Sequence, residues 1–397
     1  MIIKPSIRSN FFTNAHPIGS EAFVLNQINE AKALPPFKGP KNVLIIGGSS
    51  GYGLASRIAL AYGADANTVN ISFESGPKAK KTGSAGWWNN IHFQAHAKET
   101  QNIHKDFIGD AFSEEMKKNV TDYIKTHLGG IDLVIYSLAS GARMNFETNE
   151  LIKSSIKTIG EEAHGKTIDL IDLSVKDLVV TPADDQEIEN TVFVMGGSDW
   201  HHWIDYLDQQ GALNHGVKTI SYTYIGGPTT DKIYRKGTLG KAKEDLENHA
   251  FKMNEVLKEK YQGEALISSS KAVTTKASVY IPQMTIYVSC LYDVMMRHNV
   301  HETILEHKYR LFKDMIYGEK RIVDDKGRIR LDHLEMDPNI QKETIMLMTT
   351  LEDDALIMRQ GTQQFLKDCY QMNGFEFDQI DYEADVDLEK LSTLEPK

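Results

Sequence analysis

Gly47, Gly51 and Gly53 follow a short apolar run, Val43 to Ile46, and precede a helical pattern carrying Leu54, Ile58 and Ala61. A second apolar run ends at Phe73-Glu74. The order is strand, glycine turn, helix, strand, acid. Bare glycine backbone lets a pyrophosphate approach, and its charge then sits on a helix N-terminus. The spacing is G-x-x-x-G-x-G rather than G-x-G-x-x-G, and a tight turn with no ligand would show the same glycines. The flanking runs and the terminal acid favour a dinucleotide site. Glu74 would accept hydrogen bonds from both adenosine ribose hydroxyls and repel a 2'-phosphate, which points to NAD(H) over NADP(H). As a plain strand-end acid it would only be solvated.

Tyr224, Tyr234 and Lys243 are the second group. A reductase working beside NADH needs a donor for the oxygen side of its substrate. Tyrosine can serve, but its ordinary pKa is about 10. A nearby ammonium would lower it and could also hold the nicotinamide ribose. Nine residues on one helix turn through about 900°, so Tyr234 and Lys243 converge only if the tyrosine precedes the helix. Gly237-Thr238-Leu239-Gly240 offers a break, with the helix starting near Lys241 and Lys243 in its first turn. With 16 tyrosines a chance Y-x8-K is expected, and Tyr317 with Lys326 is one, in a charged turn with no strand before it.

The elements that must position these residues alternate. Glu21 to Leu34 reads as a helix closed by Pro35-Pro36. Residues 75 to 100 read as no regular element. Trp87 and Trp88 there are read either as core packing or as a wall of a cofactor or substrate cleft. His104 to Gly109 is a third strand ending at Asp110. Ser113 caps a helix with Met116, Val120 and Ile124 on one face. Ile131 to Ser137 is a fourth strand, Val217 to Ile225 a fifth, and Glu264 to Ser270 a sixth. The expected fold is α/β, a doubly wound parallel Rossmann-type sheet with helices on both faces. The whole of 1–397 reads as one large domain. Residues 41–140 and 215–275 form its dinucleotide-binding core, 142–195 an inserted flap or hairpin, and 283–397 a mainly helical part that covers the substrate. KRIVDDKGRIR, at 320–330, reads as a turn.

Composition sets the limits. With 397 residues, 41% apolar and 25% charged, the chain is ordinary for a soluble globular protein, and a net charge of −11 argues against nucleic acid and a basic membrane-binding surface. Cys290 and Cys369 have no C-x-x-C neighbour, so neither a disulfide framework nor a zinc site is expected. His201 and His202 are adjacent on a helix and face different sides, which rules them out as a metal pair. A cytoplasmic protein with no membrane span is expected.

Particular stretches carry a resemblance over essentially the whole chain: MIIKP, Ala15-His16-Pro17, GGSSGYGLASRI, the SFE strand end, AGWWNN, Gly109 to Phe112 and Tyr136 to Ser140. MGGSDW, IYRKGTLGKAK, Thr274 to Ser278 and GFEFDQIDYEADVD extend it. They resemble the NADH-dependent trans-2-enoyl-CoA reductases and the similar V-type enoyl-acyl-carrier-protein reductases, enlarged relatives of short-chain dehydrogenases. The resemblance implies NADH as cofactor, with Gly47, Gly48, Ser49, Ser50, Gly51 and Tyr52 at the pyrophosphate. It places Phe73 and Glu74 at the adenosine, Asp110 and Ala111 at the adenine, and Leu138 and Ala139 beside the cofactor. Lys243 falls to the nicotinamide ribose, and Val273, Thr274 and Thr275 to the nicotinamide end. Tyr234 becomes the proton donor and Tyr224 the thioester contact. Gln283-Met284-Thr285 departs from a more apolar, proline-containing run in the relatives. Arg235-Lys236 leans toward the CoA branch. The implied substrate is an enoyl-CoA, or an enoyl-acyl-carrier protein that would dock on Lys232, Arg235 and Lys236. The enzyme would be a monomer or homodimer. A ketoreductase, with Ser140 miscast as its serine, and a non-catalytic NAD sensor are the other readings.

Overall fold

A computed structural model describes residues 1–397 apart from Lys80, Ala139 and Leu351. Its central sheet is built from strands β1 (Asn42–Ile46), β2 (Asn67–Ser72), β3 (His104–Ile108), β4 (Ile131–Tyr136), β5 (Leu213–Thr223), β6 (Glu264–Ser269) and β7 (Ile329–Arg330). The order across the sheet is β7-β6-β5-β4-β1-β2-β3, and every pairing is parallel. The doubly wound expectation therefore holds, with the order reversing between β1 and β4, where such sheets open a ligand crevice. Strands buried on both faces read as continuous apolar runs, as Val43 to Ile46 does at 0% exposure.

Helices α1 (Pro17–Ala33), α2 (Gly51–Gly63) and Ile304–Arg310 cover one face, burying Val24, Ile28, Ile58, Leu60 and Leu305 with Ile45 and Leu133. On the other face α4 (Glu114–His127), α6 (Ser198–Gln209) and α7 (Thr238–Tyr261) bury Val120, Ile124, Trp200, Trp203 and Met253 with Leu44 and Val134. Ser113 caps α4 as expected, accepting the Met116 N–H at 3.2 Å.

The sequence reading needs correction in places. Residues 85–97, expected to be irregular, form helix α3 (Ala85–Ala97). Trp88 lies in its core at 0% exposure, with its indole N–H donating to Thr82 O at 2.7 Å. Trp87 packs over Gly76. The turn expected at 320–330 contains β7, which pairs Ile329 with Ser268 and Arg330 with Ser269. Helix α7 begins at Thr238, three residues before the expected start, so Lys243 lies in its second turn.

Between β4 and β5 the chain forms two antiparallel hairpins, Ala142–Asn145 with Glu150–Lys153 and Ala163–Ile168 with Val175–Val180, then helix α5 (Asp185–Met195). After β6 come a short helix α8 (Lys276–Val279) and helix α9 (Met284–Arg297). The second hairpin is tied to the start of α9. Gln283, in the left-handed region at φ 65°, donates from Nε2 to His164 O at 2.9 Å, and the Ile168 N–H donates to Thr285 Oγ1 at 2.9 Å. The polar residues of Gln283-Met284-Thr285 thus serve as a latch on that hairpin. No helix is long and apolar enough to cross a membrane among the described residues.

Candidate active site

Gly47 ends β1 with its N–H donating to Ile71 O at 2.8 Å and φ at +95°. A Cβ there would stand 2.5 Å from Ser137 O, at the end of β4, and 3.2 Å from the Leu138 side chain. Only glycine satisfies both the dihedral and the close approach. The Gly48 N–H donates to Asn70 Oδ1 at 2.8 Å. Ser50 is the N-cap of α2, and Gly51 opens it at φ +54° facing the Thr275 methyl. Gly53 lets the helix pack against the turn, since a Cβ would meet Gly47 O at 2.0 Å. The first N–H groups of α2 have no intrahelical partner and point where an anion would sit.

Asn70 is held from below. Its Nδ2 donates to Asp106 Oδ1 at 2.7 Å, and Asp106 pairs with Arg57 at 2.7 and 3.3 Å. Arg57 is 0% exposed, and its guanidinium also lies 4.1 Å from the centre of the Phe93 ring. A buried ion pair therefore supports the glycine turn through one amide.

Glu74 lies beyond the end of β2. Ser49 Oγ donates to its Oε1 at 2.6 Å, and Ser84 Oγ donates to Oε2. A Cβ on Gly86 would meet Oε1 at 2.0 Å, so the carboxylate is fixed against the start of α3. Phe73 beside it is 82% exposed. At the end of β3, Asp110 Oδ1 accepts the Phe112 N–H at 2.9 Å, and buried Ala111 accepts the Trp203 indole N–H at 3.1 Å. Tyr52 turns its phenol inward, donating to Lys271 O at 2.6 Å, so only its backbone remains for a phosphate. Ala139 lies outside the described residues.

Past β6, Val273 is buried, the Thr274 N–H donates to the Tyr292 phenol at 3.0 Å, and Thr275 caps α8. This loop faces Gly51 across the crevice. Lys243 reaches back from α7 to donate to Tyr222 O at 3.1 Å, and burial lowers its ammonium to about 8. Tyr234 sits on the turns before α7, 7% exposed, and meets Tyr224 edge-to-face with ring centres 4.9 Å apart. Both belong to an apolar cluster with Ile168 and Leu170 of the second hairpin region, Leu239, Met284 and Ile286. Burial pushes the Tyr234 phenol up, with Arg235 only partly opposing. The expected lowering by Lys243 is absent, and Tyr234 stays a neutral hydrogen-bond donor.

The second Y-x8-K match lies away from the crevice. Tyr317 lies near Asp132 and Glu264, at the amino ends of β4 and β6, remote from the crevice at their carboxyl ends. Sequence reasoning missed Glu335, which is fully buried and accepts the Tyr224 phenol at 3.0 Å. No group of three or more metal-ligating side chains occurs among the described residues.

Residues 2–79 match the NAD(P)H binding domain of trans-2-enoyl-CoA reductase, 81–317 the trans-2-enoyl-CoA reductase catalytic region, and 323–386 an enoyl reductase FAD binding domain. The last name implies a flavin, and the residues do not fit one. Residues 323–386 contribute β7 and helices whose Ile340, Leu347, Phe365, Leu366 and Cys369 are packed into the core around α9. There a Cβ on Gly361 would meet Asp293 N at 2.2 Å. The chain is 44% identical to the trans-2-enoyl-CoA reductase [NADH] of Clostridium beijerinckii, covering 100% of both. It is 45% identical to an enoyl-[acyl-carrier-protein] reductase [NADH] 2 of Photobacterium profundum, covering 99% of this chain and 100% of that one. The crystal structure of the Clostridium acetobutylicum trans-2-enoyl-CoA reductase in complex with NADH superposes with a TM-score of 0.97 at 42% identity, covering 100% of both chains. With the glycine turn, the fixed acid and the buried tyrosine pair on one sheet edge, the chain belongs to the trans-2-enoyl-CoA reductase family.

Proposed function

We propose that this chain reduces the C2=C3 double bond of trans-2-enoyl-CoA thioesters with NADH. The observation that carries this is the buried Tyr224–Tyr234 pair, set in an apolar cluster at the carboxyl edge of β5. The α2 N-terminus and Gly47 to Gly51 hold the pyrophosphate, Glu74 the adenosine ribose, and Lys243 the nicotinamide ribose. Bound there, NADH supplies the hydride that adds to C3. Charge then develops on the thioester oxygen. Tyr224 and Tyr234 stabilise it with phenol donors in a dry pocket, where such bonds are stronger than in water. Tyr234, held neutral in its buried site, supplies the proton for C2 once charge has built up on the thioester side.

The CoA ester is favoured over the carrier-protein ester by the family descriptions, which name trans-2-enoyl-CoA reductase over residues 2–79 and 81–317. Beside Tyr234, Arg235 pairs with Glu247 at 2.8 and 3.0 Å, Lys236 with Asp231 at 2.5 Å, and Lys232 lies 4.0 Å from Glu161. Only the Arg235 pair is largely buried; Lys232 and Lys236 stay exposed and can meet the phosphates of CoA or the acids of a carrier protein alike. NADH oxidation followed by absorbance, with crotonyl-CoA and crotonyl-carrier protein at matched concentrations, tests the assignment. Preference for the CoA ester is expected. Preference for the carrier-protein ester transfers the enzyme to fatty acid synthesis, and turnover of neither sinks the reading.

Glu74 gives a second test. Glu74→Ala removes the ribose acceptor and the charge that opposes a 2'-phosphate. NADH affinity should fall by about 10- to 100-fold, the worth of a charge-assisted hydrogen bond, while exclusion of NADPH relaxes. Fluorescence titration with both nucleotides reads this, and unchanged discrimination would refute the role.

A further inference from the structure

Glu335 follows the short helical segment Leu331–Leu334 that continues from β7, and its side chain is 0% exposed. Its Oε2 accepts the Ala272 N–H at 2.7 Å. Its Oε1 meets two phenols, Tyr224 at 3.0 Å and Tyr287 of α9 at 2.6 Å. Gln341 braces the arrangement, donating from Nε2 to the Tyr287 oxygen at 2.8 Å and to Glu335 O at 2.9 Å. Ala272 directly precedes the loop Val273–Thr275. One carboxyl therefore joins the thioester tyrosine to the loop at the nicotinamide end.

The direction of these bonds depends on one proton. An ionised carboxylate can only accept. Both phenols then donate to Oε1, and Tyr224 turns a lone pair, not its proton, toward a thioester oxygen. A protonated carboxyl reverses this. Its O–H is donated to the Tyr224 oxygen, and the Tyr224 O–H is released toward the substrate. Resting on the assignment of Tyr224 to the thioester, we propose that Glu335 is a positioning residue whose protonated carboxyl turns the Tyr224 hydroxyl toward the thioester oxygen.

The surroundings favour the protonated form near neutrality. Burial raises the Glu335 carboxyl to about 7; Asp332 raises it too, while the bonds from Tyr287, Ala272 and Tyr224 oppose the rise. The charged and titratable groups around it are Asp332 on its own segment, Arg330 on β7, Lys271 after β6, Tyr52 on α2, Tyr287 on α9, and Tyr224. Neither cation bonds the carboxyl. Arg330 is committed to Asp332 at 2.8 and 3.0 Å, and Lys271 is itself held down to about 8 by burial. The phenols are all pushed up and do not titrate in the working range.

The experiment compares wild type with Glu335→Gln across about pH 5 to 9, at saturating NADH with crotonyl-CoA. The amide reproduces the protonated carboxyl at Ala272 and Tyr224, its oxygen taking the Ala272 N–H and its NH2 donating to the Tyr224 oxygen, while the Tyr287 phenol, which donates to Oε1 in wild type, must turn its O–H away from the NH2. In wild type, kcat/KM should fall above about pH 7. In Glu335→Gln the neutral-pH rate should stay within about threefold, and the limb should move to about 8, where Lys243 loses its proton. NADH affinity should be unchanged. A limb that stays near 7, or a folded variant more than about a hundredfold slower at every pH, overturns the proposal. Infrared difference spectra read the same group without turnover. A carboxylic acid band that titrates near neutrality in wild type and is missing from Glu335→Gln supports the proposal, and a carboxylate throughout overturns it. That titration of wild type decides the matter if the variant does not fold. If wild type oxidises no NADH with either thioester, the functional assignment falls and the proposal with it, whatever the infrared titration shows.

Discussion

Tyr234→Phe is expected to bind NADH as wild type does and to lose about 10²- to 10⁴-fold in kcat, the range for removing a positioned general acid. The ring is what the fold uses. It is buried, it meets Tyr224 edge-to-face at 4.9 Å, and it packs with Leu239 and Met284, and phenylalanine keeps all of that. What is lost is the one group that can pass a proton to C2. Lys243 donates to Tyr222 O, so its place on α7 does not depend on the Tyr234 hydroxyl. The pair of measurements is NADH affinity by fluorescence and turnover of crotonyl-CoA. Full turnover would remove Tyr234 from the mechanism, and loss of NADH binding would make its role structural.

The second large effect is on stability. Asp106→Ala leaves the Arg57 guanidinium at 0% exposure with no carboxylate, bonded among the described residues through Nε to Thr68 Oγ1 at 3.2 Å. Breaking a buried pair on one side costs about 3–5 kcal/mol, because the remaining charge is stranded. The denaturant midpoint should fall accordingly. The effect should also reach the cofactor, since Asp106 orients Asn70 and Asn70 holds the Gly48 N–H. Under conditions where the variant is still folded, NADH affinity should drop even though Asp106 lies beneath the turn and faces no ligand. An unchanged midpoint would show that the pair contributes nothing, and an unchanged affinity would show that the turn holds its shape unaided.

Where periodicity and chain punctuation were strong, the sequence was legible. Val43 to Ile46, the glycine turn and the α2 pattern fixed the first βαβ unit, and the alternation that follows gave the parallel sheet. Tyr234 and Lys243 stood out because a convergent pair needs a break between them, expected at Gly237 to Gly240; the helix begins at Thr238, inside that stretch, and leaves Tyr234 on the turns before it. Helix α3 was hidden because AGWWNNIHFQAHA has no clean polar face: Trp88, Asn89, Asn90 and Phe93 are all buried. A helix enclosed on several sides leaves little amphipathic trace. Strand β7 was hidden by its length, a two-residue edge whose Ile329 is the only apolar signal. Glu335 carried no motif. Its importance comes from Tyr224, Tyr287 and Ala272 converging on it from more than forty residues away in sequence, which no local pattern records.

The strand order also fixes when a chain leaving the ribosome acquires its site. The glycine turn, Asn70, Glu74 and Asp106 lie in the part made first, together with β1, β2 and β3. The tyrosine pair comes with β5 and the start of α7, and Glu335 comes only after β7. At about 5–20 residues per second, roughly 15 to 60 s separate synthesis of the pyrophosphate turn from synthesis of Glu335. During that interval the nascent chain presents the adenosine half of a cradle whose reactive half has not been made. A ligand that spans both halves therefore rewards completion, stabilising the finished fold by mass action far more than any earlier fragment.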